Sequence, residues 1–358
     1  MIVSHKRAAP LLAVAAAGLL SLQAPAARAQ QFTVTNLVSD GSVPAVTVDP
    51  SLINPWGMSY SPTGPFWVSD NNAGVVTLYD GSGSKIGLTV NIPPPKGMSG
   101  SGTPTGQVFN GLSHPFQVSK GGKTGPAVFL FATEDGTISG WAPSVDGVNA
   151  ILAVDNSSES AVYKGLAIGH VNGANFLYAA NFRSGDLEVY NSRFQLVRVI
   201  RDPSIPAGYA PFNVQNLGGV LYVTFALQDA AKHDDVAGRG HGYVDAFRLD
   251  GGFLRRVASA GRLNSPWGLD IAPAGFGPFA GDLLVGNFGD GVILAFDPLT
   301  GAFKGKILGA DGQPIVLGDL WGLINGNGGS GGDASKVYFT AGVHNEAHGL
   351  FGSLSPIP

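Results

Sequence analysis

The chain contains no cysteine among its 358 residues. Disulfides, thiol catalysis and thiolate metal sites are therefore excluded, and stability must come from an apolar core. Charge is scarce as well, since Lys, Arg, Asp and Glu make up only 13% of the sequence, and helical periodicity is almost absent. In their place the chain has 53 glycines and 44% hydrophobic residues. This composition is typical of many short strands joined by tight turns.

Basic residues are concentrated at the N-terminus. Lys6 and Arg7 precede an apolar run over residues 11–22, and Ala27-Arg28-Ala29 forms a small-x-small cleavage site, which together predict a signal peptide over residues 1–29. The apolar run is shorter than the 20 or so residues of a membrane span. Cleavage after Ala29 leaves 18 basic and 25 acidic residues, a charge of −7 that disfavours nucleic acid and anionic membranes as partners. We therefore expect a soluble secreted or periplasmic protein, with residues 30–358 as one domain.

One phrase recurs six times along the chain. The copies, in chain order, are Asn54-Pro55-Trp56-Gly57, Pro104-Thr105-Gly106, Tyr163-Lys164-Gly165, Ala210-Pro211-Phe212-Asn213, Ser265-Pro266-Trp267-Gly268 and Leu320-Trp321-Gly322. Their last residues lie 49, 59, 48, 55 and 54 positions apart, a period typical of propeller blades. The sequence thus predicts an all-β fold, a six-bladed β-propeller with four-stranded blades.

Each phrase is followed by two apolar strands separated by a turn rich in Asn, Asp and Gly. In blade one, for example, residues 66–69 are predicted to pair with residues 76–79. The strand-like segment at residues 31–36 precedes the first phrase and is left without a blade of its own. We expect it to complete the sixth blade, so that the N-terminal strand closes the ring.

The connections between these paired strands differ in length. Four blades have 5 or 6 residues between the strands, whereas blade four has 19 and blade six has 9. In the long connection of blade four we predict His233 and Asp235 to be catalytic, and Asp229, Lys232 and Asp234 to contact a ligand. The alternative is a solvated loop with local ion pairs.

The connection of blade six contains His344, Glu346 and His348. Alternate residues of an extended chain share one face, so these side chains are predicted to converge on one divalent metal ion. Two imidazoles and a carboxylate suit Zn²⁺ or Fe²⁺, and further carboxylates nearby suit Ca²⁺. The alternative is that Glu346 and His348 only cap strand ends.

Polar residues also occupy the short turns of other blades, where Asn, Asp and Gly are favoured for backbone reasons alone. If these turns share a face with the long loops, their side chains ring the mouth of the central channel. On that basis we predict Glu134, Asn181 and Asn287 as further ligand contacts.

Four longer motifs stand out along the chain: FATEDGTISGW at residues 131–141, KHDDVAG at 232–238, NSPWGL at 264–269 and HGLFGS at 348–353. Together they resemble a family of secreted bacterial proteins of unknown function that are predicted to have a six-bladed, NHL-like fold. The resemblance covers essentially the whole chain after the signal segment. It implies the fold and export, and it supplies no catalytic residues.

More distant resemblance links the chain to calcium-dependent lactonases of the gluconolactonase and regucalcin type and to NHL-type amidating lyases. Those lactonases hold their metal with a Glu, two Asn and an Asp at the channel mouth. Glu134, Asn181, Asn287 and Asp70 are of these types, but blade one opens with Asn54 and lacks the early metal-binding Glu of those enzymes.

Two functions therefore remain open. The first is an exported binding module whose long loops in blades four and six contact a small molecule, a glycan or an envelope protein at the channel mouth. The second is a metal-dependent hydrolase or lyase of lactonase-like type that acts on a small ester or lactone. Because propellers host both classes, the fold does not choose between them. In either case we expect a monomer that neither binds nucleic acid nor inserts into a membrane.

Overall fold

The structure, a computed structural model, is an all-β ring of six four-stranded blades, as the repeat predicts. It describes residues 1–3 and 30–358, so nearly all of the predicted signal segment lies outside the described residues. Among the described residues, no helix has the length and apolar character needed to cross a membrane.

The residue that ends each repeat phrase lies on the innermost strand of a blade. From the channel outwards, blade one contains Pro55–Ser59, Phe66–Asp70, Val75–Tyr79 and Lys85–Asn91. Blade two contains Pro104–Phe109, Phe129–Thr133, Thr137–Trp141 and Ile151–Asp155. Blade three contains Tyr163–Val171, Ala174–Asn181, Asp186–Asn191 and Leu196–Ile200. A separate hairpin, Gln117–Lys120 with Lys123–Pro126, is inserted in blade two.

The other half of the ring repeats this order. Blade four contains Tyr209–Leu217, Val220–Leu227, Tyr243–Arg248 and Phe253–Ser259. Blade five contains Pro266–Ile271, Leu283–Asn287, Ile293–Phe296 and Phe303–Lys306. Blade six contains Leu320–Asn325, Val337–Ala341, Leu350–Pro356 and Phe32–Ser39. The remaining elements are the short strand Thr47–Val48, parallel to Phe32–Ser39, and single-turn 3₁₀ helices at Ser157–Glu159 and Gly277–Phe279.

The ring closes as predicted. Phe32–Ser39 runs antiparallel to Leu350–Pro356, so the N-terminal strand is the outermost strand of the sixth blade. The Phe32 ring is buried and lies 4.5 Å from the Phe276 ring of blade five. The predicted pairs of second and third strands form in all six blades.

The repeated glycine has a steric cause. A Cβ built on Gly57 would lie 2.5 Å from the carbonyl oxygen of Thr105 in blade two, and one on Gly268 would lie 2.7 Å from the carbonyl oxygen of Trp321 in blade six. Both separations are far below ordinary van der Waals contact. In blade four the register residue is Asn213, whose amide instead donates to the carbonyl of Trp267 in blade five, at 2.8 Å. The innermost strands of adjacent blades therefore meet backbone to backbone.

We expect Gly57→Ala to lower the free energy of unfolding by at least about 2 kcal/mol, because the added methyl group must push two backbones apart. The matched control is Gly87→Ala on the outermost strand of blade one, where a Cβ would meet no atom within 4 Å. Urea denaturation of both variants measures the difference. Equal stabilities for the two variants would show that the channel wall is not in backbone contact.

Candidate functional site at the mouth of the ring

The connections between second and third strands all lie on one face of the ring. The backbone N–H that follows the second strand donates to the carbonyl that precedes the first, as from Asn71 to Asn54 at 3.1 Å and from Phe288 to Ser265 at 2.9 Å. The same bond recurs from Glu134 in blade two. The long loops of blades four and six therefore share a face with the short turns, as the sequence analysis required. The channel opening on this face is called the mouth below.

Aromatic rings fill the channel beneath the mouth. Trp56 stacks on Trp321 with ring centroids 3.4 Å apart, and Trp267 meets both edge-on at 6.0 and 5.6 Å. Phe212, at the same register in blade four, lies 5.9 Å from Trp321. The repeat tryptophans of blades one, five and six therefore pack against one another across the ring axis and, with Phe212, close it.

Lys164 breaks this aromatic layer. It is the blade-three residue at the tryptophan register, and its side chain is only 2% exposed. Its Nζ forms a close ion pair with Glu134 and lies 3.2 Å from Asp234 Oδ1. The same ammonium lies 5.0 Å from the centroid of the Trp56 ring, within cation–π range.

The charge state of this buried amine follows from its partners. Burial by itself would lower the pKa of Lys164, but the carboxylates of Glu134 and Asp234 outweigh burial, so the pKa is raised. Lys164 is therefore a fixed cation. A buried charge of this kind is tolerated because two carboxylates pair with it, and loss of one partner typically costs about 3–5 kcal/mol.

The two blades on either side supply the carboxylate partners of Lys164. Glu134, at the end of the second strand of blade two, also accepts a hydrogen bond from the Asn71 amide of blade one at 2.8 Å. Asp234, on the long loop of blade four, accepts from Nδ1 of His233 at 2.9 Å. Lys164 and His233 together hold the pKa of Asp234 below its usual value, against the effect of partial burial. Glu134 and Asp234 thus lie at the mouth, and their contact with a ligand remains a prediction.

The remaining predicted residues of the blade-four loop have other positions. Asp229 shapes the loop, because its Oδ1 accepts from the backbone N–H groups of His233 at 2.9 Å and Asp234 at 3.3 Å. Lys232 is exposed at the left-handed corner of the loop, with φ 55°. Asp235 is half-buried, and burial raises its pKa. The catalytic roles of His233 and Asp235 remain predictions.

The connection of blade six is not extended, so the alternation from which its metal site was predicted does not apply. His344, Asn345 and Glu346 all have left-handed backbones, with φ of 61°, 57° and 62°. Three consecutive residues in this region are costly without glycine. Asp319 stabilises the turn, since its Oδ2 accepts from the N–H of Asn345 at 2.8 Å and of Glu346 at 3.4 Å.

This turn directs Glu346 toward the mouth. The Asn54 amide donates to Glu346 Oε2 at 2.8 Å, and Asn54 Oδ1 accepts from the Trp321 indole at 2.9 Å. Burial raises the pKa of Glu346 to about 7, and the negative charge of Glu134 adds to the rise, which Asn54 and Lys164 oppose. Asp234 of the blade-four loop pairs with Lys164, and Glu346 of the blade-six loop feels the charge of the same ammonium, although blade five separates the loops.

The two histidines of this turn are held differently. His348 Nδ1 lies 2.6 Å from Asp40 Oδ2, next to the ring-closing strand, and the exposed His344 ring lies 5.4 Å from the His348 ring. Within residues 1–3 and 30–358, the one group of three or more potential ligands within 4.8 Å of one another is Glu134, His233 and Asp234. The structure therefore does not assemble His344, Glu346 and His348 as a metal site.

Asn181 and Asn287 occupy equivalent turns, but their side-chain amides donate hydrogen bonds to other groups of the protein near each turn. Asn181 is buried and donates to Glu188 Oε1 at 2.7 Å, while Asn287 donates to the carbonyl of Arg262 at 3.0 Å. Asp70, at the same position in blade one, is buried and accepts from the Thr77 hydroxyl at 2.7 Å. These side chains hold the turns, and their predicted role at the mouth has no support in the geometry.

Sequence reasoning missed Lys164, Asn54, Asn71 and Asp319. For Lys164 a signal was present, because a charged residue stands at a register where four of the six blades carry an aromatic ring. Asn54 and Asp319 also share a register, two residues before the repeat tryptophans, and both have positive φ. The mouth thus combines a fixed ammonium, several carboxylates and amides over an aromatic floor. Such a set can bind a polar ligand or a cation.

Fold and site together define a six-bladed β-propeller with a cluster of charged side chains at one mouth of a channel that aromatic rings close. No family model matches the chain. The uncharacterized protein L690 of Acanthamoeba polyphaga mimivirus is 35% identical over 334 residues, 90% of this chain and 85% of that protein. A second mimivirus protein, R648, is 34% identical over 335 residues, 90% of this chain and 80% of that protein.

The chain belongs to the same family as these two mimivirus proteins. Since they are viral and uncharacterized, they do not support the bacterial and secreted character implied by the sequence resemblance, and both remain predictions.

Solved structures similar to the chain have low sequence identity. Soluble aldose sugar dehydrogenase from Escherichia coli covers 91% of this chain and 100% of its own, at 12% identity and TM-score 0.54. The PQQ-bound aldose sugar dehydrogenase from Streptomyces coelicolor covers 91% of this chain and 99% of its own, at 16% identity and TM-score 0.52. A streptogramin B lyase covers 92% of this chain and 98% of its own, at 10% identity and TM-score 0.50. Similarity at this level shows the fold alone.

The raised pKa of Glu346 predicts a pH dependence of stability. The folded state binds this proton more tightly than the unfolded state, so the stabilisation is fully present near pH 4 and is lost as the pH rises through about 7. Glu346→Gln does not titrate at this position, so its free energy of unfolding minus that of the wild type is expected to rise between about pH 5 and about pH 8. Urea denaturation of both proteins at the two pH values measures this difference. Glu159→Gln, on an exposed turn, is the control, and an equal pH response in all three proteins would contradict the prediction.

Proposed function

We propose that this protein binds a small polar ligand at the mouth, where side chains from blades one, two, three, four and six surround Lys164. The observation that carries the proposal is Lys164 itself, a buried cation inside an aromatic layer, paired with Glu134 and Asp234 of two neighbouring blades. An aliphatic or aromatic residue at this register would serve packing better, because a buried ion pair seldom adds net stability.

The chemistry of the rim favours a ligand rich in hydroxyl or amino groups. Asp234 is 67% exposed, and Glu346 presents a carboxylate fixed by Asn54. Phe288 is half-buried and stacks on Trp321 at 4.2 Å, which places an aromatic surface beside these acceptors. Carboxylates accept hydrogen bonds while an aromatic face covers apolar C–H groups, a combination that suits a sugar-like molecule or a glycan end.

A second candidate is a metal-dependent hydrolase or lyase acting on a small ester or lactone. The observation in its favour is the group Glu134, His233 and Asp234, whose potential ligand atoms lie within 4.8 Å of one another. An ion held there would polarise a carbonyl oxygen. Glu346, with a pKa of about 7, is better suited than Asp235 to act as the general base at neutral pH.

The ligand proposal predicts the behaviour of two lysine variants. The screen uses the purified full chain in excess EDTA, with monosaccharides, amino sugars and sugar lactones as probes, and records melting temperature followed by calorimetry. A probe that binds the wild type is expected to bind Lys164→Met about tenfold or more weakly, because the ammonium no longer orders Glu134 and Asp234. Lys120→Met, in the hairpin of blade two and 57% exposed, is expected to bind as the wild type does.

Two results would contradict this proposal. Equal affinity in Lys164→Met and Lys120→Met would place the ligand away from the mouth. A panel of these probes that leaves the wild-type melting temperature unchanged would count against a sugar-like ligand. Circular dichroism of Lys164→Met establishes that the variant is folded before its affinity is compared.

We further propose that the chain is exported. The support is the basic, apolar and small-residue pattern of residues 1–29. Expressed in a bacterial host, the protein is expected to reach the periplasm with Gln30 as its first residue, which N-terminal sequencing of the purified protein determines. Ala29→Arg, at the cleavage position, is expected to leave the segment attached, and recovery of the uncleaved wild type in the cytoplasm would overturn the proposal.

A further inference from the structure

The ammonium of Lys164 lies where the mouth would hold an external cation. It contacts one oxygen of Glu134 and one of Asp234. The same two carboxylates, with His233, are the group whose potential ligand atoms lie within 4.8 Å of one another. The internal cation and the potential metal ligands therefore share their oxygens.

The ligand types narrow the choice of metal. One imidazole with two carboxylates suits a borderline ion such as Zn²⁺ or Mn²⁺. Two of the three groups lie on one exposed loop, where His233 is 47% and Asp234 is 67% exposed. An ion arriving from solvent can therefore reach them without opening the ring, whereas the Lys164 side chain approaches from the buried floor.

We propose that Glu134, His233 and Asp234 form a divalent-metal site at the mouth, with Lys164 as an internal cation that competes with the metal for the two carboxylates. The inference rests on the second candidate function and does not require the sugar-like ligand. A divalent ion and the ammonium of Lys164 repel each other when both pair with these two carboxylates in a partly desolvated site. Metal binding is therefore expected to weaken the ion pairs of Lys164, and these ion pairs to weaken metal binding.

This arrangement makes an unusual prediction, that removal of a residue at the site improves metal binding. The full chain, stripped with EDTA and desalted, is titrated with ZnCl₂ and with MnCl₂ by calorimetry. Lys164→Met is expected to bind one ion at least about tenfold more tightly than the wild type. In Lys164→Met, the further changes Glu134→Gln or His233→Ala are expected to abolish this gain.

The matched control separates this site from the one predicted in blade six. His344→Ala removes an exposed histidine of the same face and is expected to leave metal affinity unchanged. A loss of binding in His344→Ala with none in His233→Ala would overturn the proposal. So would Lys164→Met binding the ion no more tightly than the wild type.

Lys164→Met leaves two carboxylates unpaired and can fail to fold. Lys164→Gln, which keeps a neutral hydrogen-bond donor at this position, is then titrated in its place with the same expectation. Sugar binding is measured separately in excess EDTA. Absence of metal binding in every variant overturns this inference and leaves the ligand proposal standing, whereas metal binding without any sugar-like ligand supports this inference and removes the ligand proposal.

Discussion

Backbone contact between the innermost strands is the constraint on which the rest of the molecule depends. Gly57, Gly106, Gly165, Gly268 and Gly322 admit the neighbouring strand because they carry no side chain. Ring closure at this radius leaves no room for an open axis, and the aromatic layer fills what remains. The channel therefore provides a floor and not a passage. Loops of different length extend beyond the close-packed strands at the mouth described above, and the proposed site lies there.

Lys164 is a departure from the repeat, because it places a charge at a register that carries an aromatic ring in most blades. Four of the six copies carry an aromatic residue at this register, whereas the lysine of blade three demands acidic partners from elsewhere. Glu134 and Asp234 come from the blades on either side, so the neighbouring turn and the long loop serve the same charge. Stability alone does not require such a network, because buried ion pairs rarely repay their desolvation. Its presence at the mouth is consistent with a role in recognition.

Much of the fold was predictable from the sequence because the repeat period, the strand pairs and the closing strand are local patterns. The site was predictable only in part. Asp234 and Glu134 were identified from loop length and turn position, but the left-handed turn at residues 344–346 depends on Asp319, which is distant along the chain. Asn181 and Asn287 occupy the same turn position as Asp70, yet all three bond within their own blades. Sequence spacing does not reveal which way a turn residue points.

The mouth is also coupled to the closure of the ring. Glu346 and His348 share one turn, and His348 contacts Asp40, which directly follows the ring-closing strand. Asn54, which fixes the carboxylate of Glu346, precedes the first strand of blade one. We therefore expect a ligand that orders Glu346 to strengthen the junction between the first and last blades. By linkage, such a ligand would stabilise the closed ring against opening where the strand Phe32–Ser39 joins the sixth blade.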